Sequence, residues 1–448
     1  QMIESVNVAL SKANKEKIKI VRWCPCDSSL VLLEGKDLHG IKINGRELAD
    51  GTRPSGGVSG DPPYDITFDR ASNTLKWPQL VGDGSLNYLT HIPIETKTPS
   101  DTPVKSGVIF VPPLPTSTET PFIIAITDTG IRPGAWYSGF LNSFWANVGE
   151  TTGRDNDHNG MAGDVSGWDF VHHSNNLYDP IGHGTRVTSL IHEQLTDSDW
   201  AINRVRFMFL KTHNEKGEGL LFDNLCALSY ARQKGAKIIN ASWGFYNPHP
   251  SPLLNYFIKE LSSSGILVVA AAGNTNATSD SLAETEWGIA RSDLRNSSRN
   301  PFWPASHSFT FSNVISATTL HAEQKAGIKT IPPERLIGVC SSQNFSAQFV
   351  NVGVLNNGNQ ALRPPIPFCD IVDITNPNQT TSGSSYAAPV ITGKLARHGG
   401  QTWTSNNRDD VLFPLLRTAT SSSGSIMKSS TGLATVISNG NYVFRHDR

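Results

Sequence analysis

The run "ILVVAAAG" (266–273) constrains this chain more than any other stretch. It has no polar face, so a strand formed here must be covered on both sides. A sheet open to water on one side alternates apolar and polar residues. Continuous apolar strands belong instead to parallel sheets sandwiched between helices. The neighbouring segments fit that scheme. "FIIAIT" (122–127), "RFMFLK" (206–211) and "KIINAS" (237–242) read as further strands. Leu221, Leu225 and Leu228 recur at i, i+4 and i+7, one face of a helix. "SPLLNYFIKELSSSG" (251–265) reads as another helix. Pro252 suits its first turn, Leu254, Ile258 and Leu261 share a face, and Gly265 ends it. Strand and helix in alternation predict an α/β fold, a doubly wound, mostly parallel sheet with helices on both faces.

Residues 1–118 read differently. "IKIVRW", "SLVLLEG" and "GVIFVPP" are short strand-like runs among Gly, Pro, Asp and Asn. "RPSGGVSGDPPYD" between them reads as loop, and "PPLPTSTETP" (112–121) is a stiff, proline-rich linker. The predicted organisation is a β-rich N-terminal region over 1–118 and the α/β domain over 119–448. The balance of 38 Lys and Arg against 39 Asp and Glu gives a net charge of −1, with no global pull toward nucleic acid. No apolar run approaches the ~18 residues that a membrane span needs. The five cysteines cannot all pair with one another. "CPC" (24–26) is poorly spaced for zinc, so mostly buried thiols are expected. Cys340 and Cys369 could form a disulfide, which would imply an oxidising compartment.

Four side chains stand where such folds put active sites. Asp128 directly follows a strand in "AITDTGI". His183 opens a helical pattern in "GHGTRVTSLI". Ser385 begins another in "SGSSYAAP". Asn274 closes the apolar strand in "VVAAAGN". A serine hydroxyl needs a base to take its proton and a carboxylate to orient that base. Acyl transfer also needs a donor for the developing oxyanion, a role open to Asn274. "DTG" occurs in aspartic proteases too, but those need a second such aspartate, and none is present.

These blocks, with "IINASWG" (238–244), resemble the signature blocks of the subtilisin-like serine proteases, in the family's order over about 119–430. The resemblance implies a triad of Asp128, His183 and Ser385, with Asn274 as oxyanion donor. Ser384 stands where the family usually has threonine. Ser242, Trp243 and Gly244 would pair with extended substrate, and Ala271, Ala272 and Gly273 would form one pocket wall. "WPA" (303–305) would line the far side. Two inserts are expected, near 140–170 and 321–380. In the first, "DNDHNG" reads as a D-x-D-x-N-G calcium turn. Asp155, Asp157 and Asn159 would be ligands, with Asp164 as a closing carboxylate. A structural Ca²⁺ is thus possible, although the triad chemistry requires no cofactor.

The resemblance implies a serine endopeptidase acting on proteins or peptides, with no nucleic-acid partner and no membrane span. A secreted or cell-envelope setting is expected, with no signal peptide visible at "QMIESVNVAL". Residues 1–118 would be an accessory region or a propeptide-like segment. Two alternatives are a silent pseudoprotease that binds peptides and a subtilase-type enzyme that passes the acyl group to an amine, tailoring or ligating peptides.

Overall fold

The structure, a computed structural model, describes residues 2–35, 42–43, 46–47, 67–69, 74–76, 89–92, 120–132, 141–322, 337–340, 342–355, 370–372, 380–399, 403, 406–418, 437 and 441–445. The expected strand at "GVIFVPP", the loop at 53–65, nearly all of the 112–121 linker and much of the 321–380 insert lie outside the described residues.

The Phe122–Asp128 strand is buried along its whole length. Phe122, Ile124 and Ile126 face one apolar cluster, and Ile123 and Ala125 the other. Residues of a strand alternate between faces, so a fully apolar strand needs both faces covered. It lies inside a sheet ordered Gly167–Asp169, Val205–Lys211, Phe122–Asp128, Ile238–Ala241, Leu267–Ala271, Val314–Ala322, Val352–Leu355 and Asn441–Phe444. Every neighbouring pair in that series is parallel. Antiparallel pairing enters at the Arg417–Thr418 edge and at Ile337–Val339. The helices His183–Glu193 and Ser384–Gly399 cover one face, through Leu190, Ile191, Val390 and Ile391. Leu221–Gln233 and Pro252–Ser263 cover the other, through Leu225, Leu228, Leu254 and Ile258. This is the expected doubly wound α/β fold. Ser251 caps the Pro252 helix by accepting from Leu254 N at 3.3 Å.

Strand order places the candidate site. From Phe122–Asp128 the chain moves to Gly167–Asp169 and then Val205–Lys211 on one side, then crosses to Ile238–Ala241 on the other. Connections therefore leave in opposite directions at the carboxyl end of the first strand, and a crevice opens there. Asp128 sits at that end.

The N-terminal region opens with a helix, Met2–Lys12, where only strands were expected. Strands Lys19–Cys24 and Asp27–Glu34 then pair antiparallel. Four short strands, Lys42–Ile43, Arg46–Glu47, Thr67–Asp69 and Thr74–Lys76, form a separate sheet. The expectation of mostly buried thiols is corrected: Cys24 and Cys226 form a disulfide across 202 residues, joining the first hairpin to the Leu221–Gln233 helix. Cys340 is disulfide-bonded as well, while Cys369 lies outside the described residues. Cys26 is a free thiol 3.6 Å from Cys24 Sγ.

Arg22 carries the polar part of this junction, pairing with Asp223 and touching His173 Nε2. Burial pushes the Asp223 carboxyl up to about 7, against the opposing pull of Arg22. A raised carboxyl pKa favours the folded state below the unfolded value near 4, and that advantage is lost as pH rises toward 7. Asp223→Asn should therefore flatten the fall in stability between about pH 4 and 7, by at most ~1.4 kcal/mol per pH unit. Urea unfolding at several pH values measures this, and identical slopes in both proteins would refute it.

Candidate active site

Asp128 and His183 meet because the backbone between them allows an unusually close approach. His183 Nδ1 lies 2.8 Å from Asp128 Oδ1, and both side chains are buried. The next residue is Gly184. A Cβ there would lie 2.3 Å from Gly130 O and 3.0 Å from Asp128 Oδ1. Only glycine lets the helix start against the strand end. Thr129 N donates to the same Asp128 oxygen at 2.8 Å.

Ser385 is the second residue of the Ser384–Gly399 helix, whose approach turns at Gly383, φ 146°. That helix packs directly on the His183 helix: a Cβ on Gly393 would fall 2.6 Å from Ile191 O. The Tyr386 ring lies 5.2 Å from the His183 ring. His183 Nε2 and Ser385 Oγ are both buried with no hydrogen-bond partner. Ser384 plays a different part. Its Oγ accepts from Gly273 N at 2.9 Å and lies 3.3 Å from Asn274 Oδ1, tying the serine turn to the strand end that carries Asn274.

Ser385, Asn274, Ser242, Trp243, Ala271 and Gly273 line one cavity, together with Phe302 and His91. Ala272 is buried behind it, its N–H donating to Ala317 O. Trp303, in the "WPA" block, donates from Nε1 to Asn247 O instead, and its neighbour Phe302 forms the wall. Beneath the cavity lies a polar network that the sequence did not reveal. Ser242 Oγ donates to Ser385 O, Asn240 Nδ2 to Ser242 Oγ, Thr392 Oγ1 to Asn240 Oδ1, and Trp243 Nε1 to Thr127 Oγ1, all at 2.8–3.0 Å. Asn240 occupies an otherwise apolar strand because these partners satisfy its amide.

An extended chain is already seated beside this cavity. Leu89–His91 pairs antiparallel with Glu218–Leu220, setting Thr90 opposite Gly219. On its other edge, His91 N donates to Gly244 O at 3.0 Å and Gly244 N to His91 O at 3.2 Å. Ile92 N donates to Gly217 O at 2.8 Å. Gly244 thus receives an added strand, and that strand comes from the chain's own N-terminal region.

Residues 120–433 match the Subtilase family (peptidase S8). The chain belongs to the subtilases. Subtilisin-like protease 1 of Plasmodium falciparum (isolate 3D7) is 28% identical over 204 residues, 44% of this chain and 28% of that protein. The thermophilic serine proteinase of Bacillus sp. (strain AK1) is 32% identical over 134 residues, 28% of this chain and 32% of that protein. The match therefore spans about a third or less of either relative. Among solved structures, the epidermin leader peptide processing serine protease EpiP of Staphylococcus aureus is 16% identical, with a TM-score of 0.45 over 73% of this chain and 74% of that one.

The acidic insert of this subtilase departs from the simple calcium turn. Both oxygens of Asp155 are taken by turn amides, from Asn159 N at 3.0 Å and Gly160 N at 2.9 Å. Asp157 and Asp164 instead converge with Glu150, which the motif did not include. Asn159 donates its amide to Asp164 Oδ2 at 2.8 Å. Lys234 pairs with Asp157. No helix among the described residues is long and apolar enough to cross a membrane.

Asp179 is the other residue that sequence reading missed. It is wholly buried and accepts from Ile181 N, Gly182 N, Thr185 N and Thr185 Oγ1, and from Thr129 Oγ1. It therefore fixes the loop that delivers His183 and ties it to the residue after Asp128. Removing the carboxylate strands several buried donors at once, each costing about 1–3 kcal/mol. Asp179→Ala should lower unfolding free energy by on the order of 3 kcal/mol, and Asp179→Asn by less, because one acceptor oxygen remains. Chemical denaturation checks this, and a loss below about 1 kcal/mol for Asp179→Ala would contradict the role.

Proposed function

We propose that this subtilase is a serine endopeptidase. The observation that carries the reading is the 2.8 Å contact of His183 with Asp128, beside a cavity that Ser385 and Asn274 both line. Ser385 Oγ attacks the peptide carbonyl and gives its proton to His183 Nε2. Nδ1 keeps its proton toward Asp128, which orients the ring and stabilises the imidazolium. His183 then protonates the leaving amine. Asn274 and the backbone N–H of Ser385 stabilise the tetrahedral oxyanion, and water releases the acyl group. Neither His183 Nε2 nor Ser385 Oγ has another hydrogen-bond partner, and catalytic bonds often form or tighten only when substrate is bound. Substrate would bind as residues 89–92 do, between Gly217–Leu220 and Gly244, by strand addition. Residues 89–92 then act as an internal occupant of the cleft.

Ser385→Ala should abolish peptide hydrolysis and fluorophosphonate labelling, leaving only the residual supplied by binding and the oxyanion hole. Ser384→Ala should keep much more activity, because its hydroxyl holds a backbone N–H and attacks nothing. Asn274→Ala should lower kcat more than it raises KM, since its amide serves charge present only in the transition state. Kinetics per titrated active site measure all three. Equal loss from the two serine variants, or labelling at Ser384, would overturn the assignment.

We further propose a structural Ca²⁺ held by Glu150, Asp157 and Asp164. Their carboxylate oxygens lie within 4.8 Å of one another, and buried Glu150 Oε2 has no partner. Hard carboxylate oxygens suit this ion, which would brace the insert and take no part in the chemistry. Chelation should then lower the melting temperature by mass action. Glu150→Gln should remove most of that sensitivity. A melting curve indifferent to chelator and to added calcium would rule the site out.

A further inference from the structure

Thr90 is the most completely buried side chain of the seated segment. It is fully buried, although threonine at a strand edge normally leaves its hydroxyl to water. Two groups from different elements receive it. Asn224 Nδ2 donates to Thr90 Oγ1 at 3.0 Å, and Thr90 Oγ1 lies 3.0 Å from His213 Nε2. The amide's orientation follows from a second contact: Asn224 Nδ2 also lies 3.0 Å from Leu220 O, which can only accept. Since Asn224 donates to Thr90 Oγ1, the hydroxyl proton is free to go to His213 Nε2. His213 Nδ1 then carries the ring proton and faces Thr212 Oγ1 at 2.9 Å. Burial holds the His213 pKa well below its usual value, with His91 and His183 adding to that effect. The ring therefore stays neutral and keeps its acceptor nitrogen.

The backbone holds this pocket tight. A Cβ on Gly219, the residue opposite Thr90, would lie 2.3 Å from Thr212 O and 2.8 Å from His213 Cδ2. The rim strand thus lies flat on His213, and the pocket has one donor and one acceptor at hydrogen-bond distance. That pair is complementary to a hydroxyl. A methyl in its place would leave His213 Nε2 and one N–H of Asn224 buried without a partner, which is the arrangement that discriminates most strongly between substrates.

We propose that His213 and Asn224 form a hydroxyl-reading subsite that selects peptides with Thr or Ser at the place of Thr90, two residues before the place of Ile92. This rests on the peptidase reading and on substrate following the strand of residues 89–92. The subsite is separate from the reacting atoms, so its two residues set specificity and are not catalytic.

The first test needs no chemistry. In the full chain carrying Ser385→Ala, hydrogen exchange at the His91 and Ile92 amides, read by mass spectrometry, reports seating of the strand. Amides of the Leu267–Ala271 strand control for global stability. Thr90→Ser should keep protection within about threefold, and Thr90→Val should lower it roughly 10- to 100-fold. With Asn224→Leu also present, the further change to Val should cost clearly less than in the Asn224 background, because only the His213 contact remains to be lost. Equal protection of the Thr and Val forms would overturn the subsite, as would a full Val penalty in the Asn224→Leu background. The second test uses the active full chain and peptides that differ only in Thr or Val at this position. The Thr peptide should be cleaved with kcat/KM roughly 10- to 100-fold higher. A ratio near one would overturn the proposed selectivity. Absence of all hydrolysis would count against the peptidase reading alone, since the exchange result does not depend on it.

Discussion

The contact between His183 Nδ1 and Asp128 Oδ1 is the constraint around which the molecule is arranged. A buried imidazole and a buried carboxylate can be held together only if the backbones carrying them almost touch. Gly184 supplies that approach, Asp179 fixes the loop that leads into it, and the doubly wound sheet places Asp128 at the crevice where connections diverge. The Ser384–Gly399 helix then packs on the His183 helix through Gly393, so the serine turn comes to the same place.

Around this centre many polar groups are buried, and a set of them is linked by hydrogen bonds. Asn240, Ser242, Thr127 and Thr392 form a connected set under Ser385. Such networks stiffen a site when they are satisfied throughout. Ser384 joins this support by binding Gly273 N, which separates its role from that of its neighbour. The two adjacent serines, alike in sequence, differ because one hydroxyl is occupied by the backbone and the other is not.

The N-terminal region is coupled to the catalytic domain in three ways of different physical kind. A disulfide joins Cys24 to Cys226, an ion pair joins Arg22 to Asp223, and a strand addition seats residues 89–92 between two rims of the cleft. The first is covalent and insensitive to pH. The second depends on the charge of a carboxyl whose pKa burial has raised to about 7. The third is backbone hydrogen bonding, open to competition from any extended peptide.

The candidate site residues and the sheet stood out in the sequence because each rests on local patterns. A fully apolar strand demands cover on both faces, whatever covers it. Asp128, His183, Asn274 and Ser385 stand at element boundaries, flanked by small residues whose presence signals close packing. Tertiary structure alone decided the rest. Cys24 and Cys226 are 202 positions apart, Thr90 and Asn224 are 134 apart, and Glu150 joins Asp157 and Asp164 from outside their motif. No periodicity links such residues, since their proximity comes from how whole elements pack. Asp179 and Asn240 read as ordinary polar residues in the sequence; burial and convergent donors give them their roles. Local pattern thus determined which side chains could perform chemistry and on what kind of scaffold. Long-range packing decided what supports them and which segment of the chain lies against Gly244 and Gly217–Leu220.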